Sequence, residues 1–217
     1  MRAFICRIFF VLALTSVAKS AHISDNDPKN LLAAIRQNRT TQADFQEQRV
    51  IRLMKKPVLS SGTVWFEPPN KFRREVKGNS PSITVSDGRD LWIYYPNFKS
   101  AERYPLGKGS PLDATVAAIN SALNLENIET SFNVTATKIE NGHELQLLPR
   151  TAAMKRVFQK LDLRINDKFR VERTDMLLPN GDQIVTAYSN QTRAAIPSST
   201  FEFKPPAGTE VTTPLGQ

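Results

Sequence analysis

The stretch that most constrains the fold runs from residue 62 to residue 96, because its apolar and polar residues alternate with a period of two. That period is typical of β-strands whose two faces meet different surroundings. Three pairs occupy the apolar positions: Val64 and Phe66, Ile83 and Val85, and Leu91 and Ile93. Ser86-Asp87-Gly88 lies between two of these runs and predicts a hairpin turn, since glycine reaches positive φ without strain. The stretch therefore predicts three or four short strands.

Most of the remaining chain shows the same combination of short extended runs and turn residues. The further predicted strands are 43–53, 99–106, 131–139, 143–148, 159–165, 169–177, 183–188 and 200–204. Asn141-Gly142 and Asn166-Asp167 each separate two of these runs, as expected for hairpins. About 11 strands joined by short turns predict a mainly β chain folded as one antiparallel sheet curled toward a barrel.

Two segments predict helices instead. Asp27 and Pro28 suit an N-cap and a first helical position, so a helix is expected from there to about Asn38. Residues 111–125 are more clearly amphipathic, with apolar residues at i, i+4, i+7 and i+11. These are Leu112, Val116, Ile119 and Leu123. A curled sheet of 11 strands encloses more volume than one short helix can fill, so the pattern also predicts a hydrophobic cavity.

The N-terminus has the features of a secretory signal peptide. Arg2 and Arg7 precede an apolar block at 8–17, and Ala18-Lys19-Ser20 follows it. We therefore predict that residues 1–20 are a signal peptide cleaved after Ser20, that the protein is exported to the periplasm, and that residues 21–217 form one domain. Cys6, the single cysteine, would leave with the signal peptide.

The charge pattern admits several kinds of partner. The formal charge is +8, and removal of three cations with the signal peptide leaves +5. These charges are scattered along strands and turns, so they indicate a solvated basic surface, or attraction to anionic lipid headgroups or to an acidic partner. Nucleic acid is not expected as a partner, because no basic stripe interleaved with aromatic residues is present.

Residue types that carry enzyme chemistry are scarce. His22 and His143 are the two histidines and lie far apart in the sequence. They offer neither metal-ligand spacing nor the base of a nucleophilic triad, and no glycine-rich loop precedes a helix. The sequence therefore predicts a binding protein that is not an enzyme, with no metal and no cofactor.

An ordered series of short motifs resembles a known family. The motifs are Ser61-Gly-x-x-Trp-Phe, Pro69-Asn-x-Phe-Arg, Val85-Ser-Asp-Gly-x-x-Leu-Trp-x-Tyr-x-Pro and Phe201-Glu-Phe-Lys-Pro-Pro. In this order they resemble the LolA-type periplasmic carriers of bacterial outer-membrane lipoproteins. The resemblance implies an incomplete antiparallel barrel with a helical lid, whose hydrophobic cavity shelters the acyl chains of a lipoprotein between the inner and outer membranes.

The resemblance also implies site residues and partners. The residues expected to bind lipid are Val64, Phe66, Ile83, Val85, Leu91 and Ile93 on the concave wall, Leu112, Val116, Ile119 and Leu123 on the lid, and Phe72, which matches a family phenylalanine associated with cargo handover. The implied partners are acylated lipoproteins, an inner-membrane lipoprotein-release transporter and an outer-membrane lipoprotein receptor, with the carrier acting as a monomer.

Two positions depart from the family pattern. Pro68 stands where the family has an arginine that ties down the lid, and Arg74 stands where it has a tryptophan. Closure through that arginine is therefore not expected, and Arg73 or Arg74 would have to replace it. We expect the lid to be held by burial of its apolar residues instead.

Two other functions fit the same pattern. One is a carrier whose cargo is another lipid or a polyketide-like pigment. The other is a periplasmic lipoprotein-sensing regulatory domain, since such regulators share this half-barrel without carrying cargo.

Overall fold

The computed structural model describes residues 27–106 and 128–214. The predicted signal peptide and the predicted helix at 111–125, with Leu112, Val116, Ile119 and Leu123, lie outside the described residues. In the described part of the chain, no helix is long and apolar enough to cross a membrane.

One sheet contains all of the described strands. They are β1 Gln42–Val50, β2 Val58–Glu67, β3 Lys71–Lys77, β4 Ser82–Ser86, β5 Asp90–Tyr95, β6 Ser100–Pro105, β7 Phe132–Ile139, β8 Gly142–Pro149, β9 Lys160–Ile165, β10 Val171–Leu177, β11 Gln183–Thr192 and β12 Glu210–Thr212. Their order across the sheet is β12-β6-β5-β4-β3-β2-β1-β11-β10-β9-β8-β7. Among these strands, neighbours run antiparallel except β12, which pairs parallel to β6. The chain is therefore mainly β and forms one open sheet, as predicted.

Within residues 27–106 and 128–214, three short α-helices accompany the sheet: α1 Pro28–Gln37, α2 Ile128–Ser131 and α3 Ala152–Lys155. The predicted start of α1 is confirmed, because the Asp27 carboxylate accepts a hydrogen bond from the Lys29 backbone amide at 3.0 Å. Asn38 caps its C-terminal end, as expected.

Turn chemistry explains the hairpin between β4 and β5. Asp87 Oδ1 accepts hydrogen bonds from the backbone amides of Arg89 and Asp90, at 2.7 and 2.8 Å. Gly88 lies at φ 91°, a conformation that residues with a Cβ rarely adopt. This turn was predicted from Ser86-Asp87-Gly88 and is confirmed.

The predicted strand at 200–204 is wrong. Residues 198–201 form a 3₁₀ turn, and the sheet ends on β12 instead. Prolines at 197, 205 and 206 remove backbone donors on both sides of this segment, so it is poorly suited to a ladder. Phe201 is buried and the Phe203 ring lies 5.6 Å from those of Trp92 and Tyr94, so packing across the sheet holds the segment.

The two faces of the sheet are covered by different parts of the chain. We call the face that carries Val64 and that α1 covers the inner face, and the opposite one the outer face. The main core lies on the inner face, where α1 packs on β7 to β9. It contains Leu31, Leu32, Ile35, Ile128, Phe132, Ala136, Leu145, Leu147, Met154, Phe158, Leu161, Leu163 and Ile165. Residues 198–206, the C-terminal segment, contact the outer face of β3 to β5.

Candidate functional site

A cavity of about 320 Å³ lies on the inner face beside α1. Phe66 of β2 and Leu163 of β9 both line it, although these strands are four positions apart in the sheet. The sheet therefore curves around the cavity, as an open barrel does. The apolar residues that line it include Ile35, Ala43, Val64, Phe66, Phe158, Leu161, Leu163, Val171, Met176 and Leu178.

Strand register directs the wall residues into the cavity. Ala43 of β1 lies opposite Val64 of β2, and Leu161 of β9 lies opposite Met176 of β10. Residues directly opposite each other in an antiparallel pair share a face, so the four side chains point to the same side. Ala43 is the smallest of them, and small side chains in the middle of a wall leave volume for a ligand.

Gly62 allows the wall to close tightly beside the cavity. A Cβ at this position would lie 1.7 Å from the backbone oxygen of Glu75 and 2.9 Å from the ring of Phe45. Only glycine fits between these neighbours, and Phe45 is buried there as a result.

The end of the cavity next to the C-terminus of α1 is polar. Arg36, Arg39 and Arg170 line it. The Thr40 hydroxyl donates to Gln191 Oε1 at 2.5 Å, and Gln191 Nε2 donates to the Val171 carbonyl at 2.8 Å. This arrangement suits an amphiphile whose chain lies among the apolar residues and whose polar group meets the rim.

A second apolar cluster extends the inner face away from α1. Phe66, Phe72 and Leu91 form it, and Tyr104 and Leu106 pack against it. Burial, together with the hydrogen bond that the Tyr104 hydroxyl donates to Glu102 at 2.6 Å, raises the pKa of Tyr104 to about 12. Since Phe66 belongs to both groups, apolar surface is continuous from the cavity to this cluster.

Most of the predicted wall residues are brought together. Val64 and Phe66 line the cavity, and Phe72 and Leu91 belong to the second cluster. Ile93 lies half-buried on the same inner face, opposite Thr84. Their role in lipid binding remains a prediction.

The predicted position of Ile83 and Val85 on the concave wall is wrong. In β4 the inner face carries Ser86, because Ser86 lies opposite both Phe72 and Leu91. Val85 and Ile83 therefore point outward with Trp92 and Tyr94, their partners on β5. The Phe203 ring packs against those two aromatic rings, and Val85 is buried. β4 thus places its apolar residues toward the outer face because that is the face the C-terminal segment covers.

The two arginines considered as lid ties lie on opposite faces. Arg74 is on the inner face, where its guanidinium lies 2.9 Å from Glu47 Oε2 and 4.3 Å from the centre of the Phe45 ring. Arg73 is on the outer face, pairs with Glu75 at 2.7 Å and donates to the Thr200 carbonyl at 3.2 Å. Arg73 therefore cannot reach anything that covers the inner face.

Sequence reasoning missed the half of the cavity formed by α1 and β9 to β11. Ile35, Leu163, Met176 and Tyr188 are examples. The signal was present, because Leu161, Leu163 and Ile165 alternate as strictly as the residues of β2. In the described residues, no group of three or more His, Cys, Asp or Glu side chains is arranged to hold a metal ion.

Comparison with known proteins relates this chain to one family. A family model described as outer membrane lipoprotein carrier protein LolA matches residues 36–204. An outer-membrane lipoprotein carrier protein from Dechloromonas aromatica is 29% identical over 181 residues, covering 82% of this chain and 83% of the relative. One from Methylibium petroleiphilum is 28% identical over 204 residues, covering 93% of this chain and 96% of the relative. Among solved structures, an uncharacterized conserved protein from Thermus thermophilus shares the fold, with a TM-score of 0.52 and 16% identity over 85% of this chain and 98% of that one.

Proposed function

Because the chain belongs to the LolA family of outer membrane lipoprotein carrier proteins, we propose that it shelters the acyl chains of lipoproteins in the inner-face cavity and moves them from the inner to the outer membrane. The observation that carries this proposal is the apolar surface that runs from the cavity to the Phe66, Phe72 and Leu91 cluster. A carrier is needed because three long acyl chains would expose surface worth on the order of 30 kcal/mol to water, at about 0.8 kcal/mol per CH₂.

The size of the cavity suggests how the chains are distributed. Its volume of about 320 Å³ lies at the small end of the range for ligand pockets, roughly 300 to 1,000 Å³. We place one acyl chain in the cavity itself, and further chains along the second cluster, where Leu91 and Ile93 meet them.

The remaining steps of the proposed cycle involve parts of the chain beyond the cavity. The protein would reach the periplasm through cleavage after Ser20 and act as a monomer without enzymatic activity. It would accept cargo from an inner-membrane release transporter near Phe72 and deliver it to an outer-membrane receptor.

A cover for the inner face would come from the predicted lid residues Leu112, Val116, Ile119 and Leu123. Hydrogen exchange over 111–125 with and without bound lipid tests this cover: weaker protection in the loaded form supports displacement by acyl chains, and equal strong protection contradicts it.

A matched pair of variants tests the binding site. Val64 and Ile83 are both half-buried β-branched residues, but they lie on opposite faces. Val64→Gln should weaken binding of a fluorescent fatty-acyl probe roughly tenfold or more, since a buried amide without a partner costs about 1 to 3 kcal/mol. Ile83→Gln should leave probe affinity unchanged. Equal affinities in the two variants, with both proteins folded by circular dichroism, would contradict the cavity as the acyl site.

A carrier of another lipid is a second candidate function, favoured by the arginines at the rim. Arg36, Arg39 and Arg170 line one end of the cavity, and arginine suits a carboxylate or phosphate headgroup. Displacement of the probe by an anionic phospholipid but not by a triacylated lipopeptide would favour this candidate over the lipoprotein carrier.

A further inference from the structure

The connection between β1 and β2 exposes an unusual concentration of apolar side chains. In the part of the chain that the structure describes, five of the eight exposed large apolar residues lie in this connection or at the strand ends beside it. Leu53 and Met54 are in the connection, Val50 ends β1, and Val58 and Leu59 begin β2. We call residues 51–57, which connect the two strands, the tip, and Leu53 within it is 95% exposed. A cluster of this kind on a soluble protein usually marks a surface that another partner covers.

Positive charge surrounds these apolar residues. Arg52, Lys55 and Lys56 are exposed in the connection, and Arg49 is exposed near the end of β1. The sequence has no Asp or Glu between positions 48 and 66. The nearby carboxylate is that of Asp182, which is buried and lies 3.7 Å from Arg49 Nη2. A basic excess therefore remains at the tip.

Two hydrogen bonds fix the base of this connection. The Met54 amide donates to the Ile51 carbonyl at 2.9 Å, and Asp182 Oδ1 accepts from the Arg52 amide at 3.1 Å, so the turn has a defined base. Val58 follows the inner-face parity of β2, and Leu59 follows the outer-face parity. Val58 and Leu59 thus expose apolar surface on both faces of the sheet. Apolar surface on two faces suits insertion into a fluid interface better than docking on a flat protein surface.

Another exposed apolar residue lies at the same end of the sheet. β1–β2, β3–β4 and β5–β6 are successive antiparallel pairs, so their connections lie at the same end of the sheet. Phe98 is 80% exposed in the β5–β6 connection, next to the exposed Lys99. Asn97 Nδ2 donates to the Asn79 carbonyl at 2.9 Å, which ties this connection to the β3–β4 turn.

From these observations we infer that the end of the sheet at residues 49–59 docks on an anionic phospholipid bilayer. The apolar tip enters the interfacial layer, and the four cations contact lipid phosphates. Lys and Arg near an anionic surface each strengthen attachment, and exposed apolar side chains add the energy of leaving water. This inference goes beyond the carrier function, because it requires neither cargo nor the cavity.

Cosedimentation of the purified protein with vesicles tests the inference. The protein should bind phosphatidylglycerol–phosphatidylethanolamine vesicles, bind pure phosphatidylcholine vesicles much more weakly, and lose affinity as salt is raised. Lys55→Gln with Lys56→Gln should weaken binding roughly 25-fold, at about fivefold per cation. Leu53→Ser with Met54→Ser should weaken it roughly tenfold or more.

Matched controls distinguish the effect of residues 49–59 on vesicle binding from that of charge lost elsewhere and from that of the cavity. Lys168→Gln with Lys204→Gln removes the same charge at exposed positions outside the β1–β2 connection, and Leu148→Ser removes an exposed apolar residue on β8. Both controls, and Val64→Gln in the cavity, should bind the vesicles normally. Failure of the unaltered protein to bind anionic vesicles would overturn the inference and point to an acidic protein as the partner of residues 49–59. Equal loss in the controls and the tip variants would overturn it as well.

Discussion

The two halves of the sheet are stabilised on opposite faces. Strands β7 to β10, the helix-covered half, bury their inner face under α1, where Phe132, Leu145 and Ile165 are fully inaccessible. Strands β2 to β6 form the segment-covered half, in which the C-terminal segment covers the outer face of β3 to β5 and buries Val85 and Phe201. The outer face therefore supplies part of the core of this second half. Its inner face carries the smaller buried cluster of Phe66, Phe72 and Leu91, beside residues such as Val64 and Ile93 that are only half-buried.

Strands β1 and β11 join the two halves. β1 pairs with β2 of one half, and β11 pairs with β1 and with β10 of the other half. Asp44 connects β1, β2 and β11, accepting hydrogen bonds from Thr63 Oγ1 and Asn190 Nδ2, each at 2.9 Å. The cavity lies along this junction, so a ligand there would contact residues from both halves.

The largest expected effect comes from removing core volume in the helix-covered half. Leu145→Ala should lower the free energy of unfolding by about 3 kcal/mol, within the range of about 2 to 5 kcal/mol for buried leucines. Leu91→Ala, in the smaller inner-face cluster of the other half, should cost about 2 kcal/mol, at the low end of that range, because fewer buried residues surround it. Urea unfolding measures both values. A larger loss for Leu91→Ala would show that the inner face of the second half is a closed core.

Removing the outer cover of the segment-covered half should have the next largest effect. Phe203→Ala deletes a ring that contacts Trp92 and Tyr94, and we expect a loss of about 1 to 2 kcal/mol, since the ring is only half-buried. Acyl-probe affinity should stay the same because the deleted ring is on the outer face. A weaker affinity in the folded variant would contradict the assignment of faces.

A pH-dependent effect is expected at the junction. Hydrogen bonds from Asn190 and Thr63 lower the pKa of Asp44 below its ordinary value of 3.8. The ionised carboxylate therefore stabilises the folded chain above pH 3.8, and this contribution is lost as the pH falls through the lowered pKa. Asp44→Asn should reduce stability at neutral pH and make the decline in acid shallower. The exposed Asp167→Asn serves as control, and an identical acid decline in the two variants would exclude this role for Asp44.

The smallest effect is expected for the inner-face ion pair. Arg74 and Glu47 keep 30% and 23% of their side chains exposed, so Arg74→Leu should change the free energy of unfolding by at most about 1 kcal/mol. Release of a bound acyl probe should change little in this variant, and equally little in Arg73→Leu on the outer face. A release block confined to Arg74→Leu would show that a polar tie on the inner face controls release.

Local signals were sufficient to predict much of the fold. Proline, glycine and asparagine at turns located most strands, and Asp27-Pro28 located the start of α1, since these effects depend on neighbouring residues alone. The outward orientation of Ile83 and Val85 depends instead on Phe203, which is far away in sequence, and the parallel pairing of β12 with β6 likewise joins distant segments. Alternation shows which residues of one strand share a face, but only register with the next strand shows which face that is.

Photolabelling with a fatty acid that carries a diazirine near its methyl end can show which face of the sheet holds the acyl chain, since the adducts can be located by mass spectrometry. If the inner-face cavity at the junction holds the acyl chain, labels will fall on both halves of the sheet at inward positions, such as Val64 of β2 and Leu163 and Met176 of β9 and β10. Labels at outward positions, such as Trp92 or Phe203, would contradict the inner-face cavity as the site of the acyl chain.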